Sequence, residues 1–376
     1  MIYFDNGATT YPKPRSVLNA VNEAVSQYSF NSGRGGYKES LKAAEKIFSV
    51  REKIADMFST TPDNIIFTCN CTYALNMAIK GSVKKGDHII ISSLEHNSVS
   101  RVVQKLQDDG IAEYDTAAFS YDDDETVNNF EKLIKSNTSL IICMHSSNVF
   151  GVVFPIERLG RLAKKHSIRF IVDGAQGAGS ADINMKRDNI DILCCPGHKS
   201  LMGIMGSGFM ALSDGVQLDT IIEGGTGSGS MSLRQPDFTP DRFEAGTLNN
   251  PGIISIGAGI DFINQTGMKK IYNHELAITQ CLYEKLGENN RVILYTPYPA
   301  FNRSMPILAF NIENVPSEKT ASYLAKHGIS CRAGYHCSPL AHKHFGTIDT
   351  GAVRLSIGYF NTQSDCAKVI KVINNY

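Results

Sequence analysis

The pattern of apolar and polar positions predicts strands that alternate with helices along most of the chain. Short apolar runs alternate with amphipathic stretches of helical length from about residue 15 to 260. The strand candidates are Ile65–Thr68, His88–Ser92, Leu140–Met144, Arg169–Val172, Ile190–Cys194 and Gly208–Leu212, and the helix candidates between them include Lys38–Phe58, Ser98–Asp108, Glu125–Lys135 and Ile156–Lys165. This alternation predicts an α/β domain with a mostly parallel sheet and helices on both faces. Ligands bind such sheets beyond the carboxyl ends of the strands.

The pattern changes after about residue 260. A helical stretch at Met268–Lys285 precedes the strand-like ILAFNI, a helix near Glu318–His327, the strand-like AVRLSIG and a final helix. A chain of 376 residues also exceeds the size at which one core stops growing. We therefore predict a large domain over residues 15–260 and a smaller α+β domain formed by residues 1–14 and 261–376.

Composition and charge exclude several classes of partner. Lys and Arg together number 37, as do Asp and Glu, so no overall field would attract nucleic acid or an anionic membrane. No apolar run approaches the ~18 residues that a membrane helix needs, and the start MIYFDNGATT does not resemble a signal peptide. The nine cysteines form an odd set that lies mostly in apolar stretches. These features predict a soluble cytoplasmic protein with free thiols.

Two residues at strand exits could serve a cofactor. Lys199 follows the apolar run IDILCC, where desolvation would make its amine nucleophilic, although a solvated loop lysine is the alternative. Asp173 ends the strand RFIV, and an acid there could hold a proton on a pyridine nitrogen or merely cap a helix. The pair is more informative than either member, because pyridoxal phosphate requires both groups.

Three further positions complete a candidate cofactor site. Cys71 and Thr72 fall at a predicted helix N-terminus, where unpaired N–H groups favour a phosphate. A simple helix cap by Thr72 is the alternative. His96 also stands at a strand exit, where its ring could stack on a planar cofactor or could instead cap or pack.

The last candidate is a thiol. Cys337 lies in a predicted loop between Gly334 and Pro339. Its neighbours Arg332 and His336 favour a reactive thiolate, although most cysteines are inert core residues. A zinc site formed by His336, Cys337, His342 and His344 matches no common structural zinc spacing. We therefore predict no metal site.

Taken in order, these segments resemble the cysteine desulfurase and selenocysteine lyase family, class V of the fold-type I pyridoxal-phosphate enzymes. The resemblance spans nearly the whole chain, through YFDNGATT, CTYALN, LEHNS, HSSNVFG, VDGAQ, PGHK, RFEAGTLN, RAGYHC and VRLSIGYFNT. The RxGxHC form resembles the branch with a short, structured cysteine loop. The resemblance implies the fold of a fold-type I PLP-dependent transferase.

The resemblance also implies a role for each matching position around pyridoxal 5'-phosphate. Lys199 would form the Schiff base, Asp173 would pair with the ring nitrogen and Gln176 would hydrogen-bond the phenolic oxygen. The implied cofactor-binding set is Lys199, Asp173, Gln176, His96, Cys71, Thr72, His198, Thr247 and Asn148, in which Thr72 and His198 hold the phosphate. Thr247 would reach the phosphate of a neighbouring subunit, which implies a homodimer with a shared active site.

The implied catalytic residues are Cys337, Lys199 and His96. Arg354 and Asn148, with Arg332 and Arg34, would bind the substrate, and Arg354 would grip its carboxylate. L-Cysteine would become L-alanine with a persulfide on Cys337, and an acceptor protein would later take the sulfur or selenium. The alternatives are a selenocysteine lyase, a class V aminotransferase or C–S lyase that does not use Cys337, and a scaffold or sulfur-transfer partner that has lost turnover.

The chain departs from the family pattern at three places. Cys71 and Tyr73 flank Thr72 where relatives usually carry two hydroxyl residues and an acid, and Pro196 replaces a common serine. These changes predict a looser phosphate clamp. The stretch HCSPL after the thiol is one residue shorter than the usual HCxxPL. The sequence therefore leaves undetermined how far the cysteine loop extends towards the cofactor.

Overall fold

The computed structural model of the protein describes residues 1–33 and 35–376. Its strands are β1 (Ile2–Tyr3), β2 (Ile65–Thr68), β3 (Asp87–Ser92), β4 (Ala112–Ala117), β5 (Thr138–Met144), β6 (Arg169–Asp173), β7 (Ile192–Pro196), β8 (Gly208–Leu212), β9 (Val292–Leu294), β10 (Ile307–Ile312), β11 (Ile329–Ser330), β12 (Arg332–Gly334) and β13 (Ala352–Ser356). Its α-helices are α1 (Arg15–Gln27), α2 (Lys38–Phe58), α3 (Cys71–Ser82), α4 (Asn97–Asp108), α5 (Asp123–Glu131), α6 (Ile156–Lys165), α7 (Asn250–Thr266), α8 (Met268–Gly287), α9 (Ser317–Lys326), α10 (Pro339–His344) and α11 (Gln363–Asn374).

A seven-stranded sheet in the order β2-β8-β7-β6-β5-β3-β4 forms the centre of the molecule. The strands from β7 to β4 are parallel, and β8 runs antiparallel to both of its neighbours. Most of these strands are buried along their whole length, as strands covered on both faces must be. The predicted mostly parallel α/β sheet is confirmed.

Helices cover both faces because alternate side chains of each strand point to opposite sides. On β2, Ile65 and Phe67 pack in a core with residues of α1, α2, α6 and α7. Ile66 between them packs in a second core with residues of α3 and α4. Each face therefore buries one apolar set.

A third core lies in the C-terminal part of the chain. The antiparallel sheet β12-β13-β10-β9 packs there with α8, α9 and α11, and Phe4 from the N-terminal segment joins them. Strand β1 pairs in parallel with β11, which brings residue 2 beside residue 329. The division into residues 15–260 and residues 1–14 with 261–376 stays a prediction, and α7 runs through the predicted boundary at residue 260.

The pattern did not reveal β4, the strand at one edge of the large sheet. Its sequence AEYDTA is buried only at its two ends, so it lacks the apolar run of the inner strands. Among the residues that the structure describes, no helix is both long and apolar enough to cross a membrane.

Candidate active site

A cavity of about 110 Å³ opens where the parallel strands of the large sheet end. It is lined by Asn70, Cys71, Thr72, His96, Ser98, Met144, Ser146, Asn148, Asp173, Ala175, Gln176, Pro196, His198 and Lys199. Eight of the predicted site residues are therefore brought together. The strands β2, β3, β5, β6 and β7 each deliver part of this lining, because their carboxyl ends meet at one edge of the sheet.

Lys199 follows β7 and lies deep in the cavity. The side-chain hydroxyl of Thr10 donates to the Lys199 carbonyl at 2.8 Å, which fixes the backbone of the lysine. Burial lowers the pKa of the Lys199 amine, against the opposing effect of Asp173. A lower pKa increases the fraction of neutral, nucleophilic amine. The alternative of a solvated loop lysine is wrong.

Asp173 ends β6 and is 4% exposed. Its Oδ1 atom accepts a hydrogen bond from the Ala175 backbone N–H at 2.9 Å and a weaker one from the Cys71 thiol at 3.6 Å. Burial raises the pKa of the carboxyl group, whereas the Ala175 bond and the positive Lys199 lower it. A buried carboxylate that faces a lysine suits the protonated nitrogen of a pyridine ring.

The N-terminus of α3 forms another wall of the cavity. Asn70 is the N-cap, since its side-chain oxygen accepts from the Tyr73 N–H at 2.9 Å. The alternative of a cap by Thr72 is therefore wrong, and Thr72 is exposed at the cavity. The thiol of Cys71 points into the protein instead, towards Asp173 and the Cys194 carbonyl. The helix N-terminus thus offers backbone N–H groups and one hydroxyl to an anion.

His198 supplies an unsatisfied polar atom at the cavity. Its Nδ1 atom is buried without a hydrogen-bond partner. Burial, with the positive Lys199 and Lys13, lowers the pKa of His198 to about 4. Buried polar atoms normally have partners, so this nitrogen is suited to a ligand.

His96 is the N-cap of α4, and it also lines the cavity. Its Nδ1 atom accepts from the Ser98 backbone N–H at 3.1 Å, which places the ring proton on Nε2. Burial and the neighbouring Lys199 lower the pKa of His96 to about 4. The capping role and the cavity role thus coexist, and the ring is neutral at physiological pH.

Gln176 is hydrogen-bonded to the N-terminal segment, since its Nε2 atom donates to the Gly7 carbonyl at 3.0 Å. Its predicted bond to a phenolic oxygen stays a prediction.

The loop that carries Cys337 lies against the large sheet. The Cys337 carbonyl accepts from the Asn97 backbone N–H at 2.7 Å. Asn148 Nδ2 donates to the His336 carbonyl at 2.9 Å, and Asn148 Oδ1 accepts from the Ser338 hydroxyl at 2.7 Å. The Cys337 side chain itself is exposed. The loop therefore attaches a free thiol to residues that line or border the cavity.

Arg354 lies beside the cavity but does not line it. It is buried on β13, where it donates to the Asn148 carbonyl at 2.8 Å and to the Asp5 carboxylate at 2.5 Å. Arg332 is exposed on β12, directly opposite Arg354 in the sheet. The positive charges of both arginines help to lower the pKa of His96.

Of the remaining predicted residues, the structure describes Thr247 but not Arg34. Thr247 is exposed in the segment before α7, and it is absent from the cavity lining. Arg34 lies outside the described residues. Within the described ranges 1–33 and 35–376, no group of three or more His, Cys, Asp or Glu residues could hold a metal ion.

A second cleft has a larger volume than the cavity beside Lys199. A cleft of about 580 Å³ lies at the opposite edge of the sheet, near the starts of β6 and β7. Lys164, Arg169 and Asp191 are among its lining residues. It lacks the buried amine–carboxylate pair, so we assign the chemistry to the smaller cavity.

Comparison with known proteins agrees with this geometry. The model of the aminotransferase class-V family matches residues 2–369. The chain belongs to this family. It is 33% identical to a probable cysteine desulfurase of Methanothermobacter thermautotrophicus over 97% of this chain and 92% of that one. It is 32% identical to a probable cysteine desulfurase of Pyrococcus abyssi over 99% of this chain and 93% of that one.

Solved structures show the same fold. The apo structure of a cysteine desulfurase from Thermococcus onnurineus matches with a TM-score of 0.93 at 30% identity, over 100% of this chain and 94% of that one. A cysteine desulfurase from Escherichia coli matches with a TM-score of 0.86 at 23% identity, over 99% and 94% of the two chains, and this likeness concerns the fold alone. The predicted fold-type I transferase fold is confirmed.

Enzymes of this family depend on pyridoxal 5'-phosphate, and the residues present fit that cofactor. Lys199 can bind its aldehyde and Asp173 can hold its ring nitrogen, while the orphaned His198 Nδ1, Thr72 and the start of α3 can hold its phosphate. The sequence missed the helix cap at Asn70 and the ion pair of Asp5. In the sequence, neither a capping asparagine nor a paired aspartate can be told apart from a solvated polar residue.

Proposed function

We propose that this protein is a cysteine desulfurase that uses pyridoxal 5'-phosphate to convert L-cysteine to L-alanine and holds the released sulfur as a persulfide on Cys337. One observation supports this most strongly. An exposed thiol is tethered through Asn97 and Asn148 to the rim of a cavity that contains the amine of Lys199 and the carboxylate of Asp173.

The cavity residues divide the work of binding and proton transfer. Pyridoxal phosphate, when bound, supplies an electron sink that stabilises negative charge on the α-carbon of the substrate. Asp173 would keep a proton on the ring nitrogen. Lys199 would hold the aldehyde of the cofactor and would take the proton from the α-carbon of the substrate, as the lowered pKa of its amine allows.

Cys337 performs the transfer of sulfur. Its thiolate attacks the substrate sulfur, the bond between that sulfur and the β-carbon breaks, and the electron pair of this bond stays on the β-carbon. A proton delivered to the β-carbon, and the return of the proton held by Lys199 to the α-carbon, complete alanine, while Cys337 retains the sulfur as a persulfide. Arg354 and Arg332, with Asn148, hold the substrate carboxylate near the thiol, since guanidinium groups suit that ligand.

A homodimer is part of this proposal. Large apolar side chains are exposed on α1 and α2, among them Leu18, Val25, Leu41 and Phe48. A second copy on this surface would bury them, and Thr247 would then reach the neighbouring active site. Light scattering of the purified protein tests the dimer. An acceptor protein could take the sulfur because Cys337 is exposed.

A reducing cytoplasmic setting completes the proposal, since all nine cysteines are free thiols.

The deciding experiment compares wild type with Cys337→Ala. Alanine release is measured from L-cysteine and from L-selenocysteine, with a thiol reductant present. We expect the variant to bind the cofactor normally and to lose turnover of L-cysteine. Unchanged turnover of L-cysteine would refute the role of Cys337. Turnover of L-selenocysteine alone would favour a selenocysteine lyase, and pyruvate in place of alanine would favour another C–S lyase.

A further inference from the structure

Ser338 stands at a helix start without capping the helix. It is the N-cap residue of α10, a position that serine favours because its side-chain oxygen accepts a backbone N–H of the first turn. Here no such side-chain bond forms. The hydroxyl is fully buried and donates to Asn148 Oδ1 at 2.7 Å instead. Its nearest partner therefore lies 190 residues away, and a longer contact reaches the His336 carbonyl at 3.4 Å.

The bond from Ser338 completes a two-sided grip on the cysteine loop. The Asn148 amide accepts from Ser338 through Oδ1 and donates to the His336 carbonyl through Nδ2. These contacts stand on either side of Cys337. If the Ser338 hydroxyl were removed, Asn148 Oδ1 would lose this partner and the amide would be free to turn.

The loop needs such a grip because its backbone is strained. His336 has a φ of 51° and Cys337 a φ of 56°, so two successive non-glycine residues adopt the left-handed conformation. Residues with side chains rarely adopt this conformation unless the surrounding structure enforces it. The Asn148 grip and the bond from the Asn97 N–H to the Cys337 carbonyl supply that enforcement.

The same asparagine is connected to the arginine proposed to bind the substrate. The Asn148 carbonyl accepts from Arg354 Nη1 at 2.8 Å, and Arg354 Nη2 bonds to Asp5. A continuous chain of contacts thus runs from Arg354 through Asn148 to both sides of Cys337. Ser338 is the link in this chain that no motif of the sequence identified.

We propose that Ser338 is a positioning residue for sulfur transfer: through Asn148, its hydroxyl holds Cys337 where it meets a substrate bound at Arg354. This inference rests on the proposed desulfurase function. It also accounts for the short HCSPL stretch, because Ser338 directly follows the thiol and ties the loop to the cavity rim.

The test compares Ser338→Ala with Ser338→Thr, which restores a hydroxyl. Ser317→Ala is a matched control, because Ser317 is equally buried and its hydroxyl bonds to the Thr350 carbonyl at 3.0 Å and the Glu318 carboxylate at 3.1 Å, not to Asn148 or His336. Alanine release from L-cysteine is measured beside the exchange of the α-proton of L-alanine in D2O. That exchange needs the cofactor and Lys199 but not the thiol, so it separates sulfur transfer from proton removal.

We expect Ser338→Ala to lower kcat for L-cysteine about ten-fold, the effect of losing one buried hydrogen bond. Exchange with L-alanine should stay at the wild-type rate, Ser338→Thr should recover most of kcat, and Ser317→Ala should not change it. Normal turnover by Ser338→Ala would overturn the proposal, as would an equal loss of both activities.

A measurement without turnover keeps the inference separate from the proposed function. Hydrogen exchange of the Asn97 amide reports its bond to the Cys337 carbonyl. We expect the Asn97 amide to exchange faster in Ser338→Ala than in wild type. An unchanged exchange rate of this amide would overturn the role of Ser338. If wild type fails to turn over L-cysteine, the desulfurase proposal falls, and the exchange of Asn97 still decides whether Ser338 holds the loop.

Discussion

The buried ion pair between Arg51 and Glu244 offers a quantitative test of the structure. Arg51 Nη2 and Glu244 Oε2 lie 2.5 Å apart, and each side chain is only 7% exposed. The second carboxylate oxygen of Glu244 accepts from the Phe67 backbone N–H at 2.6 Å. Glu244 therefore ties the segment before Thr247 to α2 and β2. The perturbation is Glu244→Gln, which keeps the shape but removes the charge.

The magnitude follows from what the variant leaves behind. Arg51 would keep its bond to the Ile65 carbonyl and its position 4.4 Å from the centre of the Phe67 ring, but its charge would have no counterion. Breaking a buried pair in this way costs about 3–5 kcal/mol. A glutamine can still accept from Phe67, so we expect a loss near the lower limit, about 3 kcal/mol of unfolding free energy.

Urea unfolding followed by circular dichroism measures this loss. Lys53→Met on the same helix is the control, because Lys53 and Asp261 form a pair that is 36% and 44% exposed. An exposed pair contributes about 0–1 kcal/mol. The double variant Arg51→Met/Glu244→Gln should lose less than the sum of its single variants, since it leaves no unpaired charge. Equal effects of Glu244→Gln and Lys53→Met, or strict additivity of the double variant, would refute the reasoning.

Three further predictions concern the site. Asn97→Pro removes the N–H that binds the Cys337 carbonyl, at a first helical position that tolerates proline. This variant should lower L-cysteine turnover about five-fold, whereas Asn97→Ala should not lower it. Equal turnover rates of the two variants would contradict the role of this hydrogen bond. Burial raises the pKa of Glu95 to about 8, so the folded protein favours the neutral acid. In thermal melts, wild type should therefore lose stability relative to Glu95→Gln as the pH rises from about 5 to about 8. A difference in melting temperature between the two proteins that does not change with pH would contradict this prediction. Asp173→Asn should weaken retention of pyridoxal phosphate and shift its absorption spectrum, and an unchanged spectrum during dialysis would remove Asp173 from the ring nitrogen.

Much of the cofactor cavity was predictable because it depends on a rule of the sheet. Lys199, Asp173 and His96 each follow a buried strand, and parallel strands end at one edge. Their proximity therefore followed from the apolar pattern once the strands were recognised. The edge strand β4 could not be predicted in this way, since half-exposed strands lack an apolar run.

Local alternatives could not be settled in the same way. Thr72 and Asn70 are both residues that cap helices, and only the backbone at the start of α3 shows that Asn70 does so. His96 both caps α4 and lines the cavity, whereas the sequence presented these roles as alternatives.

Most elements of the large sheet, the edge of the sheet where the chemistry lies and the family of the chain could be inferred from the order of residues alone. These properties depend on periodicity and motif order, which are written along the chain. The way in which Cys337 is held depends instead on contacts between distant parts of the chain. The contacts of Arg354 with Asp5 and of Ser338 with Asn148 join residues 349 and 190 positions apart. Polar partners at such distances are selected by the packing of the C-terminal sheet against the large one, and no local pattern encodes that packing.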